Sequence, residues 1–189
     1  MIGYKMLKIN KVFFLVMGIV ISQAAASQTY FTRTGLTEFK ASVKAFEPVE
    51  AKNNSTTVIL KAQTGDFAAQ LFINAFQFRV ALMQEHFNEN YMASNEFPKA
   101  IFRGKFKDFD LASIIEKKEY DLSGSLTIKG VEKNMNTKAV VEKQGDRIIL
   151  SATFSVTPKE FGIKIPAIVK DKIADIINII IAYELVEKK

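Results

Sequence analysis

The chain has 189 residues, of which 48% are hydrophobic and 24% charged, and its formal net charge is +6. This length and balance fit one globular domain, with or without a targeting segment, and exclude a chain that is disordered throughout. Because there is no cysteine and only one histidine, disulfides, thiolate metal sites, a cysteine nucleophile and multi-histidine metal centres are excluded. We therefore expect no metal and no cofactor.

The first 26 residues have the three parts of a cleavable secretion signal. Three lysines and no acidic residue precede the uncharged apolar run 12–21, and Ala24-Ala25-Ala26 supplies the small residues that signal peptidase requires. The apolar run is too short for a membrane-crossing helix, which needs about 20 residues. The sequence thus predicts a signal peptide over residues 1–26, one domain over residues 27–189 without a transmembrane segment, and a periplasmic or secreted location in the bacterial envelope.

Removal of the signal also removes most of the charge asymmetry. Residues 1–26 contain three lysines and no acid, so their loss lowers the formal net charge from +6 to +3. Nucleic-acid-binding domains normally concentrate basic residues on one face, and the remaining sequence shows no such concentration. We expect no nucleic-acid partner.

Period-two alternation of apolar and polar residues dominates the predicted domain and is typical of β-strands with one buried face. Gly65-Asp66, Gly130 and Gly145-Asp146 indicate turns between neighbouring strands. About eight strands at this spacing predict an all-β fold, an antiparallel barrel or sandwich. The predicted strand regions are residues 30–39, 56–64, 67–78 (read as part of a hairpin), 100–106, 120–128, 135–141, 148–156 and 173–186.

One segment, between residues 78 and 98, departs from this alternation. Its apolar residues recur at i, i+3, i+7 and i+11, which predicts one short amphipathic helix. We expect this helix to pack against an open end of the barrel and to leave Glu85 and Glu89 in water. The apolar positions are Val80, Met83, Phe87 and Tyr91.

The interior of an eight-stranded barrel is either filled by side chains or holds one small ligand. The predicted inward rows carry no charge, so a guest would be a long apolar molecule. Glycines on these rows, at 104 and 124, favour free space, but alternation alone leaves a solid core and a cavity both open. The candidate lining residues are Phe67, Leu71, Phe102, Phe106, Leu122, Gly124, Leu126, Ile148, Leu150, Phe154, Ile177, Ile179 and Ile181.

Catalytic signals are weak in this sequence. His86 lies between Glu85 and Glu89, either of which could orient it as a base. No cysteine and no Gly-x-Ser-x-Gly motif supplies a nucleophile. A single helical histidine among polar neighbours is more typical of a surface position, so we expect a protein that is not an enzyme.

Three sequence blocks, in order, resemble the YceI-like family. In that family a His-Leu or His-Phe helix leads into an aromatic-Pro-x-Ala-x-Phe strand, and His86-Phe87 followed by residues 97–102 resembles this pattern. Residues 122–131 are similar to its Gly-x-Leu-Thr-x-x-Gly-Val hairpin, and residues 159–163 to its late Asp/Glu-Phe-Gly-Ile segment. The resemblance covers essentially all of the predicted mature chain.

This resemblance implies a lipocalin-like antiparallel β-barrel of about eight strands with one short helix. It also implies a periplasmic or secreted protein that binds a long-chain apolar small molecule, such as a polyisoprenoid, an isoprenoid quinone or a fatty-acid-like chain. The helix at the barrel mouth would present Met83, His86, Phe87 and Tyr91. The sequence leaves the choice between monomer and dimer open.

Two other functions remain open at this point. One is a structural or interaction module with a filled core, whose partners bind its outer surface. The other is a small outer-membrane β-barrel, which is disfavoured because the chain has no Trp and no paired aromatic girdles.

Overall fold

The computed structural model describes residues 28–43 and 47–188. The predicted signal peptide, residues 1–26, lies outside the described residues. Within them, no helix has the length and apolar character needed to cross a membrane.

The described chain is mostly β-strand, interrupted by one short helical region. Helix α1, Ala81–His86, continues directly into a π-helical turn, Phe87–Tyr91. Short 3-10 turns lie at Ile73–Ala75, Leu111–Ser113, Pro158–Phe161 and Ala167–Lys172. The strands are β1 (Thr29–Ser42), β2 (Glu50–Lys61), β3 (Asp66–Phe72), β4 (Gln77–Phe78), β5 (Lys99–Phe106), β6 (Lys117–Ile128), β7 (Val131–Gln144), β8 (Arg147–Val156) and β9 (Ile173–Glu187).

Eight of these strands form a closed antiparallel barrel. Their order around the barrel is β1-β9-β8-β7-β6-β5-β3-β2, and pairing of β1 with β2 closes it. The remaining strand, β4, has two residues and pairs with the start of β2, outside the closed ring of eight. The predicted fold, an antiparallel barrel of about eight strands with one short helix, is confirmed.

The predicted turn glycines lie where consecutive barrel strands reverse direction. Gly65, Gly130 and Gly145 have φ values of +71°, +75° and +58°. This left-handed region is easily reached by glycine, which has no Cβ. The short connections β2–β3, β6–β7 and β7–β8 depend on these residues.

The helical region differs from the single amphipathic helix that the sequence predicted. Val80 precedes α1 in extended backbone, with φ −115° and ψ 119°. In the π-helical turn, the Met92 N–H donates to the Phe87 carbonyl at 2.9 Å, which accommodates one extra residue in the turn. Met92 becomes buried, while Glu85 and Glu89 are exposed, as predicted.

The barrel interior is packed differently at its two ends. One end, which we call the closed end, is filled by a continuous cluster that includes Phe106, Ile148, Leu150 and Leu185, each at most 1% exposed. The other end, the mouth, is surrounded by a second cluster that includes Phe39, Leu71, Ile73 and Phe76. Filled core and free space therefore coexist in one barrel.

Candidate ligand-binding cavity

A cavity of about 520 Å³ occupies the barrel between the mouth and its middle. Its wall follows β9 from Ile173 to Tyr183, roughly 33 Å along the strand at about 3.3 Å per residue. Sites for small molecules typically measure about 300–1,000 Å³, so the volume is sufficient for a ligand. The cavity begins beside α1 and ends at Tyr183, beyond which the closed end is solid.

Most of the residues predicted to line the interior do face this cavity. They come from five different strands, because period-two alternation places one face of each strand inside the barrel. The cavity-lining members are Phe67, Leu71, Phe102, Leu122, Leu126, Phe154, Ile177, Ile179 and Ile181, together with Met83, His86, Phe87 and Tyr91 of the helical region.

Three predicted lining residues point inward without reaching the cavity. Phe106, Ile148 and Leu150 lie within the solid cluster of the closed end. The alternation identified their face correctly but contains no information about their height along the barrel axis. Their assignment to the cavity lining was wrong for that reason.

Gly124 is a second correction, because the space that its missing side chain leaves is already occupied. Gly104 and Gly124 are directly paired on β5 and β6. A Cβ on Gly124 would lie 2.2 Å from the Arg103 carbonyl oxygen, 2.5 Å from the Gly104 Cα and 2.8 Å from the Phe102 ring. The two glycines let the strands and the Phe102 ring approach closely, and they do not open the lumen.

Phe87 joins the helical region to the rest of the mouth through aromatic contacts. Its ring stacks on Phe39, with the ring centroids 5.4 Å apart, and lies 5.7 Å from Phe76 and 5.0 Å from Phe78. Aromatic pairs at these separations contribute beyond the area they bury. On the opposite side of the helical region, Lys129 Nζ donates to the Tyr91 carbonyl at 2.8 Å. The helical region is thus held against the barrel at its middle, by Phe87, and at its C-terminal end, by Tyr91.

The segment between β8 and β9 forms another part of the mouth, which sequence reasoning missed. Ile163, Ile165 and Val169 line the cavity, and Phe161 anchors the segment with only 4% exposure. The signal that could have identified this wall is the apolar spacing of residues 161, 163 and 165.

Hydroxyl groups form a small polar cluster at the deep end of the cavity, also missed. Thr37 Oγ1 lies 2.8 Å from Thr56 Oγ1 and 3.0 Å from the Tyr183 hydroxyl. All three residues line the cavity and are at most 5% exposed. Burial raises the pKa of Tyr183 to about 12, despite the opposing effect of hydrogen bonds to Thr37 and Thr56. The phenol therefore stays neutral at physiological pH.

Charged side chains are nearly absent from the wall. Among the described lining residues there is no Asp, Glu or Arg, and Lys172, an exposed residue at the mouth, is the one lysine. No group of three or more His, Asp or Glu within the described ranges could hold a metal ion. The chemistry that this wall can perform is mainly the burial of apolar surface, with hydrogen bonding limited to the hydroxyl cluster, Gln70, Thr137 and the rim.

Several solved structures share this fold. The chain is similar to a polyisoprenoid binding domain from Saccharophagus degradans implicated in plant cell wall breakdown, with a TM-score of 0.73 and 12% identity over 85% of this chain and 98% of that one. The chain is also similar to BcnA from Burkholderia cenocepacia, with a TM-score of 0.67 and 15% identity over 80% of this chain and 96% of BcnA. A third similar structure is a YCEI protein from Campylobacter jejuni, with a TM-score of 0.60 and 18% identity over 76% of this chain and 87% of that one.

Sequence comparison identifies the family directly. Among curated proteins, none is significantly similar in sequence to this chain. The family model for the YceI-like domain, however, matches residues 21–185, a span that contains the whole described barrel apart from its last residues. The chain belongs to the YceI-like family.

Proposed function

We propose that this protein is an exported, non-enzymatic binding protein that holds one long apolar lipid inside its barrel. The observation that carries the proposal is the cavity of about 520 Å³, whose described lining is apolar apart from the hydroxyl cluster and a few other polar residues. A polyisoprenoid, an isoprenoid quinone or a fatty-acid-like chain has the required chemistry.

The energetics favour a hydrocarbon guest. Each methylene group that moves from water into an apolar site contributes about 0.8 kcal/mol. A polar guest would lose its hydrogen bonds to water along most of the cavity and recover few of them. The shared fold of a polyisoprenoid binding domain supports the same class of ligand.

The cavity also favours this function over a structural module with a filled core. Only the closed end of the barrel is solid, whereas a purely structural barrel would gain stability from filling the mouth as well. The apolar rows face inward and the outer rows carry lysine, glutamate and serine, the reverse of the pattern expected for a barrel whose outer face contacts lipid. Lipid binding in the interior is therefore favoured over both alternatives.

Export is part of this proposal and rests on residues 1–26. Their basic start, short apolar run and small residues before position 27 are the parts of a cleavable signal. We propose the periplasm or the extracellular space as the location, where a protein-enclosed cavity would shield a long lipid from water.

The test is native mass spectrometry with lipid extraction on protein purified from its own envelope, alongside two variants. Ala69 lines the cavity, whereas the adjacent Ala68 does not. We expect wild type and Ala68→Phe to carry a long-chain lipid, and folded Ala69→Phe to lose it. A wild-type protein that carries no lipid and takes up none on addition would contradict the proposal.

A further inference from the structure

The hydroxyl cluster at the deep end of the cavity has one donor hydrogen more than it can use internally. Each of Thr37, Thr56 and Tyr183 carries one donor hydrogen. Two hydrogen bonds connect the three oxygens in a chain, with Thr37 in the middle. Thr56 also lies close enough to Tyr183 to affect its pKa, but only the two bonds through Thr37 have hydrogen-bond geometry. These two bonds use two hydrogens, and the third has no well-aligned acceptor among the described groups. A hydrocarbon end placed there would leave this donor unpaired.

We propose that this cluster is a recognition subsite for an uncharged hydrogen-bond acceptor, so that the guest is a long-chain lipid bound with a carbonyl or hydroxyl oxygen at the deep end and its hydrocarbon chain toward the mouth. This inference rests on the proposed function and narrows its ligand class. Phe67, Phe102 and Leu122 also line this cavity and are apolar. Thr137, paired with Leu122 across β6 and β7, donates its hydrogen to the Lys138 carbonyl at 3.4 Å, so among these residues the cluster is the polar feature with a hydrogen left to donate.

The Tyr183 ring is packed among neighbours that limit the positions of its hydroxyl. A Cβ on Gly35 would lie only 2.5 Å from the Tyr183 Cδ1 atom, so the ring covers this glycine closely. The Phe67 ring stacks nearly parallel to the Tyr183 ring, with the centroids 6.5 Å apart. A donor held in place before binding avoids the entropic cost of ordering it in the complex.

A charged head does not fit the deep end. No charged side chain of the described lining lies there. Lys172 lies at the mouth, directly before Ile173, whereas Tyr183 lies at the deep end of the same strand. An ionised head would lose its hydration without gaining a counter-ion, which is far more costly than burying a neutral carbonyl. The phenol itself stays protonated, because burial raises the pKa of Tyr183 to about 12.

The first experiment measures displacement of cavity-bound Nile red from the full protein by two probes, a long-chain methyl ketone and the alkane of equal length. We expect the ketone to bind about 2- to 10-fold more tightly than the alkane, the range that one net hydrogen bond provides. Equal affinity would overturn the subsite while leaving the proposed function intact. Failure of both probes and of Nile red to bind would overturn the proposed function and the subsite together.

The second experiment assigns the preference to the cluster. Tyr183→Phe keeps the ring and removes the hydroxyl, and Thr37→Val breaks the chain at its centre. We expect each to bring the ratio of ketone affinity to alkane affinity close to one, with the alkane affinity of the same variant as the reference. The matched control is Tyr120→Phe, because Tyr120 is as buried as the cluster but its hydroxyl donates to the Asp110 carbonyl at 3.0 Å, outside the cavity lining.

A third probe, the fatty-acid anion of the same chain length, tests the restriction to uncharged heads. It has no partner at the deep end, so its affinity should be the same in wild type and Tyr183→Phe. If Tyr183→Phe weakens the anion as much as the ketone, the restriction is wrong. If both folded variants keep the wild-type ketone-to-alkane ratio, the cluster is not the recognition subsite.

Discussion

Gly124 shows how one missing side chain can serve close packing instead of creating space. The paired Gly104 and Gly124 lie beneath the Phe102 ring, and a Cβ on either would come within 2.8 Å of that ring's Cζ atom. A backbone oxygen would also lie within 2.4 Å of each such Cβ, and backbone cannot rotate away as a side chain can. These two positions therefore tolerate only glycine without movement of the strands.

We predict that Gly124→Leu is strongly destabilising. Overpacking usually costs about 1–3 kcal/mol, and the backbone clash here should place the loss at or above the upper part of that range. Urea unfolding measures it. The control is Ser125→Leu, at the neighbouring position outside the cavity lining, which should stay close to wild type. Equal stabilities for the two variants would show that β5 and β6 separate easily at this point.

Tyr183 gives the protein a specific alkaline pH dependence. Burial raises the pKa of Tyr183 to about 12 in the folded protein, from its ordinary value of 10.0, so above pH 10 the unfolded chain releases this proton before the folded chain does. The free energy of unfolding should then fall as pH rises from 10 to about 12, by at most about 1.4 kcal/mol per pH unit from this residue.

The measurement is chemical unfolding of wild type and Tyr183→Phe at a series of pH values. Below pH 10 the difference between the two proteins should be constant. Above it, the curve of the variant should fall less steeply, because other groups titrate in both proteins but Tyr183 only in one. Parallel curves up to pH 12 would mean that the Tyr183 pKa is not raised.

At the scale of elements, the helical region is attached to the barrel by a few aromatic contacts. No residue of α1 or of the π-helical turn is fully buried, so the attachment depends on partly buried side chains. Phe87 has the most extensive ring contacts among them, with Phe39, Phe76 and Phe78 around it.

We predict that Phe87→Ala lowers stability by at most about 1.5–3 kcal/mol, the range for a fully buried side chain of this size, because Phe87 is only partly buried. Thermal unfolding should show a lower Tm. Glu89→Ala, an exposed residue of the same turn, should leave the Tm nearly unchanged. A similar Tm for both variants would indicate that the helical region does not depend on its aromatic face.

At the scale of the whole molecule, the two ends of the barrel differ. The closed end is solid and stabilises the fold, whereas the hollow end, at the mouth, contains the cavity for the proposed ligand. The closed end contains the most completely buried side chains, such as Leu150 and Leu185. Variants that enlarge or fill the hollow end can therefore change binding without removing the main source of stability. This division is the structural basis for the ligand experiments proposed above.

The export prediction also belongs to the whole molecule. We expect the mature protein to begin at Ser27, because Ala24 and Ala26 occupy the small-residue positions before the cleavage site. Intact-mass analysis of protein from the envelope measures this directly. A species that retains residues 1–21 and remains in the inner membrane would contradict it.

The sequence by itself determined most of the strands and which face of each is inside. These properties depend on the pleat, whose period of two is local, and on the turn glycines Gly65, Gly130 and Gly145. The exceptions are the start of β2, which begins at Glu50 and not at residue 56, and the region 67–78, which the 3-10 turn Ile73–Ala75 divides into β3 and β4. The helical region was predicted in place, although not its division into Ala81–His86 and a π-helical turn. Local periodicity therefore accounts for most of the fold.

Only the tertiary structure decided how high each inward residue lies in the barrel. Phe102 and Phe106 lie on the same face of β5, yet Phe102 lines the cavity and Phe106 fills the closed end. The register shift in β1 between Gly35 and Thr37 likewise brings Thr37 beside Thr56 and Tyr183. Stagger between strands is a property of the closed sheet, so no single stretch of sequence contains it. For that physical reason the cavity wall was only partly predicted, and the hydroxyl cluster not at all.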